Sequence, residues 1–146
     1  MKKKLLAIGN VLMGDDAIAI YLASELQEEL RARGIEVIYG ETDIGYCISC
    51  IEESDYIIIM DAADFGKAPG EVNLLSIGDS LISSKAALGH SISFLDMITL
   101  YLPMVQGVII TIQIADLNFR YGLSEALQNR FTYCTSEVMK YITKIH

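Results

Sequence analysis

Asp16, Asp61 and His90 are the residues of this sequence best suited to chemistry. Each stands where a predicted strand runs out or a predicted helix begins, in three separate segments. If the strands lie parallel, those ends meet on one rim of a sheet, where two carboxylates and an imidazole make a divalent-metal site. Taken singly, each has a plainer role. One member of the Asp15-Asp16 pair serves as a helix N-cap, stabilised by the dipole, which leaves the other without a capping job. Asp61 would turn the chain by bonding its own backbone, a habit that suits Asp64 better. His90, between Gly89 and Ser91 at a helix start, sits where the dipole disfavours imidazolium and keeps a ring nitrogen free for metal. The three together favour a site over three separate structural roles.

The elements that must position them alternate between strand and helix. Residues 4–8 read as a first strand. Residues 15–33 read as a helix with Ile18, Leu22, Leu26 and Leu30 on one face, ended by Gly34. Residues 35–39 form a second strand and 47–53 a short helix. The uninterrupted apolar run 56–60 then delivers Asp61 at its C-terminal end. Only a loop ending in Pro69-Gly70 precedes the strand at 71–77, too short for a crossover helix, so that strand runs antiparallel at the sheet edge. A helix over 91–102 stops at Pro103. A strand follows at 107–114, and then a helix over 124–145 with Leu127, Phe131, Cys134, Val138 and Ile142 inward. The sum is an α/β fold: a three-layer α/β/α sandwich around a mostly parallel five-stranded sheet, as one domain over residues 1–146.

Bulk composition narrows the function. A net charge of −8 argues against nucleic-acid binding, which needs clustered Lys and Arg to meet phosphate. Although 52% of residues are hydrophobic, the apolar runs fall far short of the ~20 residues that span a bilayer. No membrane association is expected. Lys2–Lys4 ahead of Leu5 and Leu6 imitates a signal peptide, but Gly9, Asn10 and the acidic pair interrupt it early. An odd count of three Cys suits a reducing compartment, so the expected location is cytoplasmic. Cys47 and Cys50 form a C-x-x-C pair, yet without a second pair the two thiols read better as one buried helix face than as a redox or zinc site. The segment from Gly9 to Asp16 joins strand to helix where a phosphate loop would stand. It has no G-x-G-x-x-G pattern or Walker lysine, and its carboxylates would repel phosphate.

With these segments in view, the chain resembles the hydrogenase maturation endopeptidases. Residues 8–18, I-G-N-V-L-M-G-D-D-A-I, are similar to that family's G-N-x-L-x-x-D-[DE] signature. Ile58-Ile59-Met60-Asp61-Ala62 with Pro69-Gly70 following, and Gly89-His90 with Leu95-Asp96, extend the likeness over essentially the whole chain. The resemblance implies a cytoplasmic protease that trims a C-terminal peptide from the large-subunit precursor of nickel-iron hydrogenase. It also implies that Asp16, Asp61 and His90 contact metal, understood as the substrate's own nickel, with another divalent ion possible. Some positions depart from the pattern. Relatives often carry an acidic residue followed by Gly-Gly-Thr after strand two, whereas here the stretch is Tyr39-Gly40-Glu41-Thr42-Asp43. Either Glu41 or Asp43 replaces that carboxylate, or the loop reads a different large subunit. Gly89 stands in place of a frequent Pro, and Ala19 in place of a frequent Gly.

Nothing in the sequence resembles a Ser-His-Asp triad, and neither Cys47 nor Cys50 is placed near His90. The expected chemistry is aspartyl-type hydrolysis: attack by water with Asp16 or Asp61 as base, and a metal polarising the carbonyl or positioning the substrate. Two other classes compete. A non-catalytic metal-sensing chaperone would bind the same precursor without cutting it. A receiver-like phosphoacceptor domain would use the acidic pair and Asp61 to hold magnesium, but it lacks the lysine after its last strand, where Ala115, Asp116 and Leu117 follow.

Overall fold

A computed structural model describes residues 1–78 and 88–145. The order of elements is β1 (Lys3–Ile8), a 3-10 turn (Gly14–Ala17), α1 (Ile18–Ala32), β2 (Ile35–Glu41), α2 (Ile44–Ser49), β3 (Tyr56–Ala63), β4 (Val72–Ser76), α3 (His90–Tyr101), β5 (Gln106–Gln113) and α4 (Glu125–Thr143). The five strands form one sheet in the order β2-β1-β3-β5-β4. Four run parallel, and β4 lies antiparallel to β5 at the edge. This is the sheet expected from the sequence.

Parallel strands covered on both faces carry apolar side chains at every position, because alternate residues enter opposite cores. Along β1, Leu5 and Ala7 enter the core beneath α1 and α4, whereas Leu6 and Ile8 enter the core beneath α2 and α3. On β3, Ile58 and Met60 share the first core, and Ile57 and Ile59 the second. The three layers follow from that division. The inward faces match the expected ones: Ile18, Leu22, Leu26 and Leu30 of α1 and Leu127, Cys134, Val138 and Ile142 of α4 are buried, with Phe131 half-buried.

Two boundaries differ from the expected ones in ways that matter for the site. The acidic pair lies in a 3-10 turn rather than in the first turn of α1, so neither Asp caps that helix. The strand expected to end at Met60 continues to Ala63, so Asp61 is a strand residue, paired in register with Thr111 of β5. Among the described residues, no helix is long and apolar enough to cross a membrane.

Candidate active site

The turn after β1 builds the first wall. Gly9 has φ of +150°, and a Cβ there would stand 2.1 Å from the Asp16 carbonyl oxygen, so only glycine lets β1 end against the turn. That closeness brings the Asp16 carboxylate back onto the chain, where its Oδ2 accepts from the Asn10 backbone N–H at 2.8 Å. The same oxygen lies 2.9 Å from Nε2 of His90, the first residue of α3, 74 positions along the sequence. The Asp16 side chain is 13% exposed and that of His90 39%, so the pair opens to solvent.

The helix dipole was expected to keep His90 neutral, with a nitrogen free. Instead the Asp16 hydrogen bond, outweighing burial and helped by the charges of Asp16 and Asp61, raises the His90 pKa above its ordinary value. Asp61 lies behind the pair and is fully buried. Its Oδ2 accepts from the Ser91 hydroxyl at 2.7 Å, while Oδ1 has no hydrogen-bond partner among the described residues. Burial pushes the Asp61 carboxyl up to about 8; the Asp16 charge adds to the rise, and the Ser91 bond and His90 oppose it. The fold therefore brings the three expected residues to one rim, at the crevice between β1 and β3 where the chain's crossovers diverge. Among the described residues, however, no three His, Cys, Asp or Glu side chains are close enough to hold a metal ion by themselves.

Two neighbours of the site were not singled out as site residues. Ser91 adjoins His90 in sequence but serves Asp61. Thr111, beside Asp61 in the sheet register, keeps a buried hydroxyl that no described residue bonds. It is the one polar residue in the run Val108–Ile112, and that interruption of an otherwise apolar strand is a signal for it.

Asp15 has a different task from its neighbour. Fully buried, its carboxylate accepts from the backbone N–H of Ala115 (2.9 Å), Asp116 (3.2 Å) and Ser124 (2.7 Å) and from the Ser124 hydroxyl (2.9 Å). Ser124 in turn caps α4 by accepting from Leu127 N–H. The acidic pair is thus one structural and one site carboxylate, which removes the paired acids a magnesium-dependent phosphoacceptor would need. Asp64 takes the turn role assigned to it, accepting from Gly66 N–H and from the Gln113 amide.

In the loop after β2, Asp43 caps α2 by accepting from Tyr46 N–H at 2.9 Å. Glu41 is exposed with φ of +52°, the only non-glycine in that region of backbone space among the described residues. At the end of β2, the Tyr39 hydroxyl donates to Gln27. In α2, Cys47 is buried against Gly40, where a Cβ would meet its Sγ at 2.3 Å, and burial pushes its thiol up to about 11. A raised pKa suits packing and disfavours nucleophilic chemistry.

The chain belongs to the hydrogenase maturation protease family, whose model matches residues 20–141, a span that begins just past Asp16 and includes Asp61 and His90. It is similar to the hydrogenase expression/formation protein HoxM of Azotobacter vinelandii, 27% identical over 99 residues, covering 66% of this chain and 48% of that protein. HupD of Bradyrhizobium diazoefficiens is 29% identical over 72 residues, 49% of this chain and 38% of that protein. The chain thus spans about half the length of these curated relatives. Its fold is that of the NiFe hydrogenase maturation protease HybD from Thermococcus kodakarensis, with TM-score 0.76, 24% identity and coverage of 97% and 99% of the two chains. The hydrogenase maturating endopeptidase HybD from E. coli superposes with TM-score 0.79 at 18% identity, covering 99% of this chain and 93% of that one.

Proposed function

We propose that this protein is a cytoplasmic, single-domain endopeptidase that removes a C-terminal peptide from the nickel-loaded precursor of a nickel-iron hydrogenase large subunit. The observation that carries this reading is the Asp16–His90 pair at the open rim, backed by a buried Asp61 with one unanswered oxygen. Asp16, the more accessible carboxylate, acts as the base toward water. Asp61, which keeps its proton near neutral pH, is suited to donate it as the amine leaves.

The incomplete ligand set supports a role for the substrate's own nickel. Asp16, Asp61 and His90 together fall short of a metal site. An ion that arrives with ligands from the precursor needs only one or two donors from this rim. Affinity then differs between loaded and empty precursor, and discrimination is such a difference. The non-catalytic chaperone remains the competing reading, because it would use the same contacts without turnover.

Intact-mass measurement of the precursor, nickel-loaded and nickel-free, after incubation with this protein separates the readings. Loss of a C-terminal peptide from the loaded form alone is expected. Binding without any loss of mass would establish the chaperone.

A further inference from the structure

A cavity of about 120 Å³ opens beside Asp16, at the ends of β3 and β5. Its apolar lining comes from Ala62, Ala63, Gly89, Ile114 and Leu117, and Asp16 and Asp64 complete the wall. Each carboxylate is engaged through one oxygen: Asp16 Oδ2 by Asn10 N–H and His90, and Asp64 Oδ1 by Gly66 N–H and the Gln113 amide. The rest of the lining has no polar side chain, so an apolar group seated against Ala62, Ala63, Ile114 and Leu117 covers no side-chain donor or acceptor there. At ~30 Å³ per liquid-water volume the space equals about four waters, room for a side chain of three or four carbons.

Resting on the hydrolase reading, the geometry points to this cavity as the subsite for a small aliphatic side chain flanking the bond that is cut, with Leu117 setting its size. Asp16 is at once a wall of the cavity and a member of the hydrolytic set, so a chain with one side chain seated there passes its neighbouring peptide bond within reach of Asp16 and His90. Ala62 and Ala63 form a floor fixed by the sheet, both buried. Leu117, 53% exposed on the loop after β5, is the large lining residue free to change without disturbing the core. The small floor and the leucine at the mouth discriminate by volume. One methylene too many in an apolar pocket typically changes kcat/KM by roughly 10-fold or more.

The test uses the nickel-loaded precursor with Gly, Ala, Val, Leu, Phe or Lys placed in turn on either side of the scissile bond, and kcat/KM for the wild type, Leu117→Ala and Leu117→Phe. At one of the two positions the wild type is expected to favour Ala or Val, and to fall about tenfold or more at Phe and Lys. Leu117→Ala should move the optimum to Leu or Phe at that position only, and Leu117→Phe should move it to Gly or Ala. Active variants whose preferences match the wild type would overturn the subsite, as would a preference for Lys, which would make the two carboxylates the readers. Failure of the wild type to cut any precursor would instead remove the hydrolase reading, and the subsite with it.

Discussion

Near opposite ends of β3 an aspartate is buried to nearly the same degree, 2% exposed for Asp55 and 0% for Asp61, yet the two are held in opposite states. Asp55 stands just before β3 and meets Lys4 Nζ of β1 at 2.7 Å, while accepting from Glu52 N–H at 2.8 Å. Lys4 also donates to the Cys50 carbonyl at 2.7 Å. Burial would raise the Asp55 pKa, but the Lys4 hydrogen bond, the Glu52 amide and the charges of Lys4 and Lys2 together hold it below the ordinary value. At the other end, Asp61 has one hydroxyl donor, a like charge nearby and an unanswered oxygen, and it rises to about 8. The closed network fixes structure, and the open one keeps capacity for a ligand or a proton.

The largest expected effect breaks the open end. His90→Ala or Asp16→Asn should lower precursor cleavage about 10³-fold, in the range typical of a lost acid–base group, while thermal unfolding stays close to the wild type. Intact-mass assay and calorimetry read the two quantities. Full cleavage by His90→Ala would sink the site assignment.

At the closed end the pattern should invert. Asp55→Ala strands a buried ammonium and is expected to cost about 3 kcal/mol or more in urea denaturation, with kcat/KM of the folded protein unchanged. Asp15→Ala belongs with it, since four donors lose their acceptor, and a stability loss of about 3 kcal/mol is expected. If instead Asp15→Ala leaves stability intact, Asp15 is not the strut its hydrogen bonds describe.

The pH dependence sharpens the contrast. Because the folded pKa of Asp61 lies above its unfolded value of about 3.9, its contribution is fully present below about pH 4 and is lost as pH rises toward 8. Asp55, held low, contributes above its unfolded pKa and loses that contribution as the solution turns acid. Asp61→Asn should therefore flatten the decline in unfolding free energy between pH 4 and 8, and an unchanged slope would show that Asp61 is ionised in the folded protein. The smallest effect is expected from Cys47→Ser with Cys50→Ser. Cleavage should persist with about 1 kcal/mol of stability lost, and loss of cleavage in a folded variant would assign the thiols a role in the reaction.

Much of this architecture was legible because parallel strands write themselves as apolar runs and the two long helices repeat their apolar faces at i, i+4. The short helix was harder. Expected over 47–53, it spans Ile44–Ser49, because the Asp43 side chain caps it by accepting from Tyr46 N–H. Asp16, Asp61 and His90 stand out in the sequence because each falls near an expected element end, although β3 runs on past Asp61, and their direct contacts are not legible there. His90 reaches Asp16 over 74 positions, and Ser91 reaches Asp61 over 30. The division of labour between Asp15 and Asp16 was hidden for the same reason. Only tertiary partners separate two adjacent and identical side chains.

The bond from Ser124 N–H to Asp15 spans 109 positions, and through it the turn that carries Asp16 is fastened to the start of α4. During synthesis, the first strand and its turn emerge long before that partner exists. Closing so long a loop is slow, and its entropy is repaid only when α4 docks. A ribosome-bound chain ending short of Ser124 therefore has all three site residues in sequence but only the Ala115 and Asp116 amides to hold the turn that aims Asp16, without the two Ser124 bonds. Full fastening of the site therefore waits until α4 has emerged and docked.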